Sequence, residues 1–105
     1  MDISKNVGQV IRLIREQREY LIREVAAKLE IDPSLLSKIE RGEKRPTKDQ
    51  IKQLATIFDV DEKELMIAYL SDRLVYEIRD EELAYEAIKI AEKKIEYIKK
   101  SNQIF

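Results

Sequence analysis

Apolar residues along this chain fall at helical steps. Val7, Val10, Ile11 and Ile14 are spaced by three, one and three, which predicts a helix over Ser4 to Arg18 with Ser4 as its N-cap. Gly8 sits inside that pattern at a cost to helix stability; either another backbone passes close to it or it is a tolerated surface glycine. Ile22, Val25, Ala26 and Leu29 share one side of a second, short helix. Asp32 before Pro33 reads as an N-cap followed by the first helical residue, and Gly42 is the residue type favoured just past a helix end. A third helix is therefore expected from Pro33 to about Arg41. Thr47 and Gln50 form a capping box ahead of the stripe Ile51, Leu54, Ala55 and Phe58 of a fourth helix. Asp61 with Glu64 repeats the signal before a fifth, which carries Leu65, Met66, Tyr69 and Leu70 and continues through Leu74 toward Ile78. A break follows at Arg79 and Asp80, with Asp80 as candidate N-cap. The last helix, about 81–100, places Ala84, Ile88, Ala91, Ile95 and Ile98 at steps of four, three, four and three, a seam of little more than two heptads.

Composition narrows the chemistry. With 105 residues the chain is one domain or one domain with an appendage, and two glycines and two prolines leave little material for hairpins. It has no cysteine and no histidine, which removes thiolate metal sites, disulfides and the usual general base. No glycine-rich phosphate loop and no metal-ligand cluster is visible, and Glu81 and Glu82 are adjacent on a helix and diverge. An enzyme is not expected, nor is a metal or a cofactor. No apolar signal segment and no run of membrane-spanning length is present, so the expected place is the cytoplasm. The net charge of −1 conceals an asymmetry: residues 1–58 hold 12 Lys/Arg against 9 Asp/Glu, and residues 59–105 hold 8 against 12. A basic N-terminal part and an acidic C-terminal part suggest two jobs on one chain.

Residues 22–46 concentrate the candidate chemistry. Two short helices joined by a tight turn have the proportions of a helix-turn-helix unit. On the third helix, Leu36, Ile39 and Glu40 fall on one side and Ser34, Ser37, Lys38 and Arg41 on the other. The first side must pack; the second is small, polar and basic, and serine and lysine both hydrogen-bond to base edges. Leu35 lies at the boundary, as core or as a contact to a thymine methyl. A carboxylate on the packed side needs a partner, and Arg15, on the face of Ile11 and Ile14, is the candidate for an Arg15–Glu40 ion pair. The bland alternative leaves Glu40 exposed, paired locally with Lys44 or with nothing. Arg41, Lys44, Arg45 and Lys48 then cluster around Gly42 as a solvated basic corner balanced by Glu40, Glu43 and Asp49, or as a phosphate-binding turn.

The stretch from Val7 to Met66 resembles the Xre/Cro family of helix-turn-helix regulators, which includes phage repressors. The resemblance rests on Gly8, Ile11 and Arg15 in VGQVIRLIR, Val25 and Ala26 in REVAAKL, the run SKIERG from Ser37 to Gly42, Pro46, and Leu54, Ala55 and Val60 in LATIFDV. It implies an all-α fold: a five-helix, lambda-repressor-like DNA-binding domain (residues 1–70), here with an additional C-terminal helix in residues 71–105. It also implies a dimer on two half-sites of double-stranded DNA and an Arg15–Glu40 pair, with Arg41, Lys44, Arg45 and Lys48 along the phosphate backbone. Three positions depart from the family pattern. Leu21 and Ile22 stand where a Ser or Thr cap and a phosphate-gripping Gln are usual, Glu30 stands where the turn commonly has glycine, and Pro33 occupies the first exposed recognition position. Base reading then falls on Ser34, Ser37 and Lys38.

The expected function is a sequence-specific DNA-binding transcriptional regulator, a homodimeric repressor at the nucleoid. For the C-terminal seam, three readings stand: dimerisation through Ala84, Ile88, Ala91, Ile95 and Ile98, folding back onto Leu70, Leu74 and Ile78, or binding a different protein, as an antitoxin does.

Overall fold

The computed structural model describes residues 4–101, and every regular element among them is an α-helix. The order is α1 (Val7–Gln17), α2 (Ile22–Leu29), α3 (Pro33–Glu40), α4 (Lys48–Phe58), α5 (Glu62–Ile78) and α6 (Ala84–Ser101). The chain divides into two compact units, Met1–Arg73 and Leu74–Phe105.

The first unit is built around a core of Val7, Ile11, Val25, Ala26, Leu29, Leu36, Ile39, Ile51, Leu54, Ala55, Phe58, Leu65 and Ala68. These are the residues that recur at helical steps, so α1 to α5 each turn one apolar side to the same interior. Val10, Ile14, Leu35 and Met66 pack half-buried at its edge. Tyr20 closes the interior at one end, its ring tilted against Phe58 at a centroid distance of 6.2 Å. The Arg18 Nε–H donates to the Phe58 carbonyl at 2.9 Å and so satisfies an acceptor at the C-terminus of α4.

The start of α1 differs from the sequence expectation. Asn6, not Ser4, is the N-cap. The Gln9 N–H donates to Asn6 Oδ1 and the Asn6 N–H to Gln9 Oε1, both at 2.9 Å. Three residues beyond Ser4 stands Val7, which cannot return such a bond, whereas Asn6 and Gln9 complete the box. The next free donor, the Val7 N–H, reaches Asp72 Oδ2 on α5 at 2.7 Å. That bond joins the first turn of α1 to a residue 65 positions away.

Three helices stop on non-glycine residues. Glu19 after α1, Glu30 after α2 and Asp59 after α4 have φ of 59°, 58° and 54°, the left-handed region. Glu30, which stands where glycine is common, thus takes the positive φ that glycine tolerates while carrying a side chain. On α2, Leu21 occupies the N-cap without a side-chain acceptor; the Leu21 N–H instead donates to Glu24 Oε1 at 2.8 Å. At the start of α5, Asp61 Oδ1 accepts the Lys63 N–H at 2.9 Å.

In the second unit, Arg79 and Asp80 end α5, but Asp80 does not cap α6. The Glu81 N–H donates to the Ile78 carbonyl at 2.9 Å and the Ala84 N–H to the Glu81 carbonyl at 3.2 Å. These bonds hold residues 80–83 in turns, and α6 begins at Ala84, later than expected. No side chain of α6 is fully buried: Ala84 and Ile98 are half-buried, while Ile88, Ala91 and Ile95 of the seam are exposed. No helix among the described residues is long and apolar enough to cross a membrane.

Candidate nucleic-acid interface

The interface is assembled around α3, whose ends are fixed by its own sequence. Asp32 has extended backbone angles and its Oδ1 accepts both the Ser34 N–H at 2.8 Å and the Ser34 hydroxyl at 2.7 Å. Pro33 follows as the first helical residue, where its missing N–H is no loss. The two Ser34 hydrogen bonds, side chain first, hold the Asp32 carboxyl below its ordinary pKa, and the charge of Lys38 acts in the same direction. At the other end Gly42 takes φ of 78°. The Gly42 N–H donates to the Ile39 carbonyl at 3.1 Å and the Glu43 N–H to the Lys38 carbonyl at 2.9 Å, the paired bonds of a Schellman stop.

Two contacts set how α3 lies on the domain. Arg15 grips Glu40 with two hydrogen bonds, Nε to Oε2 at 2.7 Å and Nη2 to Oε1 at 3.0 Å. The remaining nitrogen, Nη1, donates to the Tyr20 carbonyl at 2.9 Å. The side chains are 12% and 3% exposed, so the pair is largely withdrawn from water. The Glu40 hydrogen bond raises the Arg15 pKa above its ordinary value, and the charge of Glu40 adds to it. The second contact is steric. A Cβ on Gly8 would lie 2.0 Å from the Ile39 carbonyl oxygen, so α1 and α3 meet backbone to backbone at that point. The close-approach reading of Gly8 is therefore the correct one.

With Leu36, Ile39 and Glu40 turned inward, Pro33, Ser34 and Lys38 are exposed and Ser37 is half-buried. Arg41, Lys44 and Arg45 lie exposed in the loop after α3, and Lys48 is exposed in the first turn of α4 behind the Thr47–Gln50 capping box. Pro46, in the same loop, is buried. The Arg41 Nε–H donates to the Glu43 carboxylate. Sequence reasoning missed Arg12. It lines an open cleft with Arg15, Ser37, Glu40 and Arg41, and a neighbouring one with Lys5, Gln9 and Glu16. The signal was available in its position one turn before Arg15, on the side of α1 that meets α3.

Among the described residues no group of carboxylates is placed to hold a metal ion. The arrangement offers instead an exposed polar helix face beside a row of cations, suited to a polyanion with a groove. Comparison with curated proteins and with solved structures gives no match. The family model described as helix-turn-helix matches residues 11–65, just over half of the chain, from the middle of α1 to the first turn of α5. By its sequence over that span, and with α2 and α3 inside it, the chain belongs to the helix-turn-helix family of DNA-binding domains.

Proposed function

We propose that this protein is a sequence-specific transcriptional regulator of the Xre/Cro type, a homodimeric repressor acting at the nucleoid. Residues 1–70 form the lambda-repressor-like DNA-binding domain, and residues 71–105 the extension that brings two copies together. The observation that carries the reading is the division of α3: Leu36, Ile39 and Glu40 buried and held by Arg15, with Ser34 and Lys38 turned to solvent beside the basic loop.

In this reading α3 enters the major groove, and Ser34, Ser37 and Lys38 meet base edges. Lys38 donates to guanine acceptors. The Ser34 hydroxyl proton is engaged by Asp32, so its lone pairs face outward. It pairs with amino donors, adenine N6 or cytosine N4. Arg41, Lys44, Arg45 and Lys48 follow the phosphates and fix register, and Arg12 extends that row along α1. Two domains related by a two-fold axis read half-sites about 34 Å apart. Such a dimer represses by occupying DNA that the transcription machinery needs.

The test is selection of bound sites from genomic DNA, followed by salt titration on a recovered duplex. Log affinity is expected to fall linearly with log salt, and Lys44→Ala to reduce the slope by about 1 while weakening all sequences alike. Lys38→Ala is expected to cost roughly 1–3 kcal/mol on the preferred site and relax its sequence preference. Unchanged binding by both Lys38→Ala and Arg45→Ala would remove the assigned surface.

A further inference from the structure

The heptad seam of α6 carries information about how two copies meet. Charge is segregated along this segment. Residues 80–92 hold five acids (Asp80, Glu81, Glu82, Glu86, Glu92) and one base, Lys89; residues 93–101 hold four lysines (Lys93, Lys94, Lys99, Lys100) and one acid, Glu96. The order follows the helix dipole, negative at the N-terminus and positive at the C-terminus. Along the seam itself Ile88 and Ile95 are 42% and 54% exposed, an apolar stripe on the surface of α6.

We infer that α6 pairs with α6 of a second copy in antiparallel orientation, with Ala91 near the two-fold axis. This rests on the homodimer reading above and adds to it the orientation. A parallel pair would place the acidic segment of one copy against that of the other, and likewise the two basic segments. In heptad terms Lys94 flanks the seam on one side and Lys99 on the other, so in a parallel pair Lys94 faces Lys99 of the second copy, twice over. An antiparallel pair about Ala91 sets Glu81, Glu82 and Glu86 against the lysine-rich end of the second copy and opposes the two helix dipoles, leaving Glu92 beside its own counterpart at the axis. The seam permits it: Ala84 and Ile98 are equidistant from Ala91, and the small residue at the centre allows close approach.

The test uses the full chain without DNA, so it is independent of base reading. The sequence has no cysteine, which gives a clean background for the single variants Leu83→Cys and Ser101→Cys, both at exposed positions. The 18 residues of α6 span about 27 Å. Equal amounts of the two variants, one carrying a mass tag, are mixed and treated with a short bis-maleimide. Antiparallel pairing yields the mixed product, one copy of each variant; self-linked products of each variant alone would establish a parallel pair and overturn the inference. A second readout has opposite signs for the two arrangements. Lys99→Glu weakens an antiparallel dimer several-fold and strengthens a parallel one, measured by sedimentation equilibrium. Adding salt likewise weakens the antiparallel dimer. A chain that sediments as a monomer at high concentration, or that self-associates only through a different polypeptide, would overturn both the orientation and the homodimer, while leaving the DNA-binding face to be judged by its own titration.

Discussion

Gly8→Ala sets two effects against each other, and the structure decides the sign. In an exposed helix interior, replacing glycine by alanine stabilises by about 1 kcal/mol. Here the new methyl would lie 2.0 Å from the Ile39 carbonyl oxygen, more than 1 Å inside ordinary contact, and that oxygen belongs to the backbone of α3. It cannot swing aside as the end of a side chain would; α1 and α3 must separate. Overpacking of this kind costs typically 1–3 kcal/mol, and an immovable neighbour puts the cost at the upper end. Net of the helix gain, the expected loss is about 2 kcal/mol. For a chain of this size that is a fall in melting temperature of roughly 8–16 °C. Urea unfolding followed by circular dichroism measures the loss, with Gln17→Ala, exposed at the far end of α1, as a variant that changes little. DNA affinity should fall even where the variant remains folded, because Ile39 lies between Lys38 and the buried Glu40 on α3. A Gly8→Ala protein as stable as the wild type, or more stable, would refute the close-approach argument.

Removing one partner of the Arg15–Glu40 pair leaves the other buried without compensation. Glu40→Ala is therefore expected to destabilise by about 3–5 kcal/mol, while replacing both, as in Arg15→Met with Glu40→Leu, should cost far less; a double-mutant cycle in urea measures the difference. Additive single losses would mean the pair is not coupled. Glu30→Gly should stabilise by about 0.5–1 kcal/mol, because glycine relieves the strained left-handed conformation at φ 58° but loses more backbone freedom on folding. A neutral or destabilising result would contradict that. Asp32 has a depressed pKa in the folded state. Its ionised form thus adds stability that is present above the unfolded value of about 3.9 and lost as pH falls through the lower folded value. The stability difference between wild type and Asp32→Asn should stay constant from neutral pH to about pH 5 and change only in the acid range; a change centred near neutrality would point to another group.

Much of the fold was legible because helix starts in this chain are written in side chains that make bonds. Asp32 before Pro33, and Thr47 with Gln50, each satisfy a backbone donor in the first helical turn. The start of α1 was misplaced because two candidates stood close together and only the pair three apart, Asn6 and Gln9, closes a box. Helix ends were harder. Gly42 announces the stop of α3, but Glu19, Glu30 and Asp59 take the same left-handed conformation without the residue that would signal it. At those positions the stop is made by backbone bonds back into the preceding helix, such as Ile31 N–H to the Ala26 carbonyl and Val60 N–H to the Ala55 carbonyl, which no side chain announces. The site divides in the same way. The faces of α3 follow from periodicity alone. Arg12 was readable from its place one turn before Arg15, but the bond from Val7 to Asp72 depends on how distant segments meet, and no spacing within one helix encodes that.

The basic loop raised a choice between a neutralised corner and a cationic surface, and Glu40 bears on it directly. As a neighbour of Arg41 and Lys44 in sequence, Glu40 is well placed to cancel one of them. The structure sends its carboxylate the other way, into two bonds with Arg15 on α1. Of the local acids, Glu43 engages Arg41, and Asp49 lies in the first turn of α4, where a negative charge suits the helix N-terminus. Screening at physiological salt confines these interactions to about 8 Å, so what a nearby phosphate meets is the local set of charges and not the overall −1. The ion pair that fixes α3 on the domain is thus also what removes an acid from the loop beside it, and a single inward-turned carboxylate gives α3 both its orientation and its cationic border.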